Sequence, residues 1–224
     1  MSEVNWFPII LSFRISITAT LVAMMIGIPI AYLLSRSQSR WADMMDTLFT
    51  LPIVLPPTVL GYYLLVLLGR QSFIGRFLEE QFDLIIVFTP TAAVLAASIV
   101  SVPYLMKTAR TAFSEIDPHL IHAAKILGGN EWRIFVTIVV PLAWRGILSG
   151  IILAFARALG DFGTTLMVAG SIPNQTLTMP IAIYDALQSG NLQLTNTLVL
   201  IMTILSLTVL FTLNRLEKRM TRRR

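Results

Sequence analysis

Apolar residues run through this chain in blocks too long to be the buried face of a soluble helix or strand. Ile15 to Leu34 is 20 residues without a charge. At about 1.5 Å of rise per residue such a helix crosses a hydrocarbon core roughly 30 Å thick. Thr47 to Leu68 is a second uncharged block, and Leu84 to Met106 a third. Gly146 to Val168 is a fourth, interrupted by Arg157 and Asp161, and Leu194 to Leu213 is a fifth. The pattern predicts an all-α membrane protein, a polytopic bundle of five spanning helices over 15–34, 47–68, 84–106, 146–168 and 194–213.

Breakers and small residues refine each span. Pro52, Pro56, Pro57 and Gly61 crowd the second, which predicts a kinked or partly unwound helix facing the protein interior, because freed carbonyls are not tolerated against lipid. Pro90 and Pro103 fall in the third. Gly146, Gly150, Ala154 and Ala158 recur every four residues, giving the fourth span a smooth face for close packing and predicting a central helix. Arg14 is expected at the leading edge of span one, its stem snorkelling to the headgroups.

Three stretches between the blocks are polar. Residues 69–83 read as a hairpin in which Arg70 and Arg76 are offset by Glu79, Glu80 and Asp83. Residues 170–193 contain no Lys or Arg, and their 179–187 piece predicts a short re-entrant or interfacial helix. Glu115 to Leu142 is different. Asp117-Pro118 is a helix start; Leu120, Ile121, Ala124 and Leu127 form an apolar stripe, with His119, His122 and Lys125 on other faces. Gly128-Gly129 ends the helix through a left-handed cap. Asn130 caps a second helix whose apolar side is Trp132, Ile134, Phe135 and Ile138. A helix, an elbow and a helix are expected.

Composition agrees with a membrane protein: 55% hydrophobic, 13% charged over 224 residues, where a soluble domain carries about a quarter charged. The absence of Cys excludes disulfides, thiolate metal sites and thiol nucleophiles. The net charge of +5 does not point to nucleic acid, because the cations flank the spans. Arg36, Arg40, Lys107, Arg110, Lys125, Arg133, Arg145, Arg215, Lys218, Arg219, Arg222, Arg223 and Arg224 fall on one side, against Arg14, Arg70 and Arg76 on the other. By the positive-inside rule the N-terminus is outside, and the C-terminus and residues 115–142 are cytoplasmic. Residues 1–13 hold no Lys or Arg, so they lack the basic region of a signal peptide and the first span is read as retained. No repeat or soluble domain is evident; 1–224 reads as one membrane domain.

Candidate chemistry is sparse. Arg157 and Asp161, four apart, share a helix face deep in a span. Two readings fit: an ion pair that locks span four, or a passage in which Arg157 meets an oxyanion with Thr164 and Thr165 as hydroxyl donors. His119 and His122 near Glu115 and Asp117 offer one helical turn of ligands, too little for a metal centre. No G-x-x-x-x-G-K-[ST] loop, H-E-x-x-H helix or G-x-S-x-G elbow occurs. The chain is not expected to be an enzyme or to hold a cofactor.

The 115–142 segment resembles the cytoplasmic motif of permease subunits of binding-protein-dependent ABC importers: E-A-A, three residues, G, nine residues, I-x-L-P. Ala123, Ala124, Gly128, Ile138 and Pro141 match at that spacing, while His122 replaces the Glu and Val140 the Leu. The resemblance implies a type I importer permease fold in which 115–142 is the coupling segment that docks into a groove on an ATPase subunit, Ala123 and Ala124 letting the helix seat closely. Leu51 to Gly75, with L-P-x-x-L-P-P-x-x-x-G and G-R-x-x-F-I-G, is similar to molybdate permeases. Ala154 to Tyr184 is similar to the molybdate, tungstate and sulfate permeases, with Asp161 standing where A-R-x-L-G-E-F-G has Glu. The likeness implies a homodimer in a bacterial or archaeal plasma membrane, two ATPase subunits that bind the ATP and Mg, an external oxyanion-binding protein, and transport by alternating access. Molybdate is the expected cargo, with tungstate and sulfate as alternatives. A channel or scaffold without ATP coupling is the reading from another class.

Overall fold

The computed structural model describes residues 5–37 and 39–222, with side chains as far as Arg215. Every regular element among them is helical: α1 (Phe7–Ser35), α2 (Arg40–Val54), α3 (Pro57–Leu68), α4 (Phe73–Phe82), α5 (Pro90–Ser114), α6 (Pro118–Ile126), α7 (Glu131–Ile134), a π-helical turn (Phe135–Val139), α8 (Val140–Leu159), α9 (Gly163–Ala169), α10 (Met179–Gln188) and α11 (Leu192–Arg222). Four stretches are long and apolar enough to cross a membrane: Phe7–Ser35, Pro90–Ser114, Glu131–Leu159 and Leu192–Arg215. The pair α2 and α3, bent by 114°, is long and apolar enough only when taken together, as a broken span or a re-entrant loop.

Prolines set several of the boundaries. α1 opens at Phe7, not Ile15, because Pro8 occupies the first turn, where its missing N–H has no helical acceptor to lose. Arg14 therefore lies within α1 and is exposed, not at its leading edge. α5 likewise starts at Pro90, with the Thr89 hydroxyl accepting from the Ala92 N–H at 3.3 Å, so residues 84–89 lie outside the third span. The expected second span is two helices: Pro52 sits inside α2, and Leu55 and Pro56 are extended (ψ 136° and 138°) before Pro57 opens α3. The polar hairpin contains α4, and the short helix expected over 179–187 is α10.

α5, not the fourth span, is the central helix. Ala92, Ala93, Ala96, Ala97, Leu105, Met106 and Ala109 are fully buried on it, between α1 on one side and α8 on the other. The small-residue stripe does what its spacing predicts. A Cβ at Gly146 would stand 2.4 Å from the Ala112 Cβ, and one at Gly150 would stand 2.2 Å from the Thr108 Oγ1, so α8 approaches α5 more closely than any side chain there allows.

The fourth span begins and ends earlier than expected. Glu131–Leu159 is one continuous helical stretch, so the latter half of 115–142 already belongs to a span. Pro141 removes one amide donor and crowds the preceding turn, and that turn, Phe135–Val139, is widened to π form. The stretch stops at Leu159. Gly160 to Phe162 are not helical, and α9 starts afresh at Gly163.

Candidate functional site: the surface elbow and the helix junction

The elbow forms as its residue types require. The Asp117 carboxylate accepts the His119 N–H at 2.9 Å at the start of α6. At the other end Gly128 adopts φ +82°. Its N–H donates to the Lys125 carbonyl and the Gly129 N–H to the Ala124 carbonyl, both at 3.0 Å, which is the paired pattern of a Schellman cap. Asn130 then caps α7 through the Arg133 N–H at 2.7 Å.

The structure divides the matched positions. His122, Ala123 and Gly128 are exposed on or beside α6, while Ile138 and Pro141 lie in the helix that enters the membrane. Ala124 is half-buried and packs against the cluster around Ile121, Ile134, Met106 and Phe113. Only Ala123 of the two alanines faces outward, which narrows the surface available for close seating. The expected stripe is corrected in the same way. Ile121 and Ala124 turn inward, but Leu120 is exposed and Leu127, like Ile126, is 87% exposed. Trp132 is also exposed and stacks on Phe135 at 5.9 Å, outside the buried side formed by Ile134.

Charges that the sequence reading did not pair brace this region. Glu131 binds Lys125 across the elbow and lies 3.8 Å from Arg36 at the end of α1. Arg110 of α5 lies 2.7 Å from Asp46 of α2, a close charge contact without hydrogen-bond geometry on that carboxylate oxygen. Opposite charges three to six residues apart are a weak signal, and the second pair joins different helices, so only the fold reveals it.

The second site is the junction between α8 and α9. Asp161 lies past the end of α8, not on a continuing helix, yet its carboxylate reaches back to Arg157 Nη1 at 3.0 Å. Its other oxygen accepts the Thr165 N–H at 3.1 Å and the Thr165 hydroxyl at 2.8 Å. Asp161 is 3% exposed, so both oxygens are committed to pinning α9 to α8. The Thr165 hydroxyl is thereby taken. Thr164 is fully buried and its Oγ1 has no partner among the described residues. Arg157 alone of the four keeps an exposed face.

The elbow and the helix junction lie apart, at opposite ends of one helical stretch. Among the described residues no group of three or more His, Asp or Glu is arranged to hold a metal ion. A cleft of about 410 Å3 lies between α1, α10 and α11, lined by Asn5, Asp185 and Ser189 with apolar neighbours. Its charge is a carboxylate, hydrogen-bonded to Ser171, which does not suit an anion.

Comparison with known proteins bears on the chain as a whole. A family described as "Binding-protein-dependent transport system inner membrane component" matches residues 6–224. YvgM of Bacillus subtilis (strain 168), a permease protein named for molybdenum transport, is 43% identical over 204 residues, 91% of this chain and 90% of its own. The molybdenum transport system permease protein ModB of Escherichia coli (strain K12) is 40% identical over 189 residues, 84% of this chain and 82% of its own. Among solved structures, the inward-facing MetNI methionine ABC transporter superposes with a TM-score of 0.72 at 18% identity, covering 98% of this chain and 99% of the other. A bacterial ABC importer of alginate gives 0.72 at 14%, covering 99% and 81%. These two establish the shared fold.

Proposed function

The chain belongs to the family of binding-protein-dependent transport system inner membrane components, and on that basis we propose that it is the permease subunit of an ATP-driven importer of molybdate. The observation that carries the substrate is the similarity, over most of the chain, to permeases named for molybdenum transport in two distant bacteria. Tungstate and sulfate, tetrahedral dianions like molybdate, are the alternatives, since selection among them belongs largely to the protein that delivers the anion.

In this reading the permease works as a homodimer in the inner membrane, its N-terminus outside and its C-terminus in the cytoplasm. Two ATPase subunits bind ATP and Mg and supply the energy; this chain supplies the passage and the coupling. α6 and the elbow dock on the ATPase, with His122 and Ala123 at the contact and Gly128 setting the turn that presents them, while Ile138 and Pro141 anchor the following helix in the membrane. The exposure of Ile126 and Leu127 supports this, because two large apolar side chains at a helix end leave water when a partner covers them. Five cations at the same end of the bundle, Arg36, Arg110, Lys125, Arg133 and Arg145, support a cytoplasmic placement. The segment after α9 carries no cation and does not hold an arriving anion tightly.

The test is co-purification of the tagged chain with the ATPase encoded beside it, then vanadate-sensitive ATP hydrolysis with binding protein loaded with molybdate, tungstate or sulfate. Stimulation by the molybdate-loaded protein alone supports the proposal. Stimulation by another anion reassigns the substrate, and a chain with no ATPase partner points to a channel or scaffold.

A further inference from the structure

Two helix breaks meet inside the membrane. Phe49 of α2 packs with Ala31, Met106 and Ala109 in the inner half of the bundle, and Leu64 of α3 packs with Ala93, Ala96 and Ala97 in the outer half. The Leu55-Pro56 break between them therefore lies near mid-depth. Ala154 contacts Ala23, Val102 and Leu105, also midway along their helices, and Arg157 is one turn further on. The two breaks touch: a Cβ on Gly163, the first residue of α9, would stand 2.8 Å from the Pro57 Cβ.

Neither break suits lipid on its exposed side. Pro52, Pro56 and Pro57 have no amide hydrogen, so the carbonyls of Leu48, Pro52 and Ile53 lose their regular helical donor. Val54, beside them, is 78% exposed. Backbone of this kind is tolerated at membrane depth only against protein or water. Arg157 makes the same demand. Of its five N–H donors one reaches Asp161, no other acceptor is found for the rest among the described residues, and its side chain is 25% exposed. Leu153, one turn earlier on the same helix, is exposed as well.

We propose that the α2–α3 break and the exposed face of Arg157 line one water-filled passage, and that Arg157 is a transient station for the tetrahedral oxyanion midway across. The inference rests on the importer reading and adds the place where the anion pauses. Water satisfies the orphan carbonyls, and the free guanidinium donors match two oxygens of an oxyanion. Asp161 is a positioning residue: it fixes the guanidinium at the end of α8, and its charge, 3.0 Å away, keeps the station weak, as a site that must release its cargo requires. Thr165 serves Asp161 and does not touch the anion.

The absence of native Cys makes the test direct. In the complex with its ATPase, Leu153→Cys and Val54→Cys are treated with a charged, membrane-impermeant methanethiosulfonate reagent, and Leu207→Cys, exposed on α11, serves as the lipid-facing control. Labelling is expected at the first two and not at the third. Excess molybdate should slow labelling of Leu153→Cys severalfold; adding Arg157→Gln should abolish that protection, and adding Arg157→Lys should retain part of it. No labelling at Leu153→Cys and Val54→Cys, or protection that survives Arg157→Gln, overturns the station. Molybdate uptake by the unsubstituted complex, measured in parallel, separates these failures from a failure of the importer reading, in which that uptake is itself absent. Should Arg157→Gln not assemble, Asp161→Asn gives the second readout: it should raise the protection by molybdate and lower transport turnover, and unchanged values for both overturn the proposal.

Discussion

Replacing Gly128 isolates the conformational demand of the elbow from any demand for space. Gly128 sits at φ +82°, and a Cβ built there meets no atom within 4 Å. The cost of a side chain is then backbone strain alone, about 1–2 kcal/mol for an L-residue held left-handed. That shifts the balance between the elbow and competing conformations by roughly 5- to 30-fold, while the buried spans are untouched. Because size is irrelevant, Gly128→Ala and Gly128→Leu should suffer alike, and Gly128→Asn should suffer least, since Asn tolerates the left-handed region best after Gly. The assay is molybdate transported per ATP hydrolysed in proteoliposomes, together with the amount of ATPase that co-purifies. All variants should insert normally; Ala and Leu should lose coupling, and Asn should keep most of it. Unimpaired coupling in all three would refute the mechanical role of the elbow. A Leu variant far worse than Ala would refute the strain argument and place a partner surface against Gly128.

Two further substitutions test the packing and the surface charges. Gly150→Ala puts a methyl 2.2 Å from the Thr108 Oγ1 and 2.9 Å from a Leu105 methyl; it should destabilise the detergent-solubilised protein by about 1–3 kcal/mol in thermal unfolding, and Thr108→Ala should restore part of that loss, the two effects being non-additive. Glu131→Gln removes the ion pairs to Lys125 and Arg36, but Glu131 is mostly exposed, and such pairs are worth about 0–1 kcal/mol; thermal stability should change little, and a large fall would mean that the clasp holds the elbow.

Much of the architecture is legible in the chain because membrane helices announce themselves by length and their ends by Pro, Gly and Asx residues. The elbow is an example: Asp117-Pro118, Gly128-Gly129 and Asn130 each form the cap that their chemistry predicts. The small-residue stripe of α8 is another, since only a tight contact explains it. What stays hidden depends on tertiary geometry. Prolines at 52, 56 and 57 signal a break but not a 114° bend, which is fixed by where Phe49 and Leu64 find their pockets. The stop at Leu159 lacks a proline and falls between Arg157 and Asp161 in a block otherwise apolar enough to continue. Its signal is Asp161 four residues before Thr165, a spacing that serves both a continuing helix and a side chain capping a new one. Periodicity also cannot tell which apolar face is covered, so Leu120, Leu127 and Trp132 look like core positions and prove exposed.

Elbow and junction are linked by one structural fact. From Glu131 to Leu159 the chain is helical without interruption, which at about 1.5 Å per residue is a rod on the order of 40 Å long. Its first turn is bonded to the elbow through Asn130 and Glu131, and its far end is bonded through Arg157 to Asp161 and so to α9. A rod this closely packed along Gly146 and Gly150 has no room to bend toward α5, so a displacement of the elbow is carried along its axis or as a rotation about it. The widened turn at Phe135–Val139 is the one place where its regular hydrogen bonding loosens, and it lies next to the elbow, not the junction. In the importer reading proposed above, motion at the elbow meets the widened turn first, and the closely packed part of the rod beyond it carries the remainder toward Arg157.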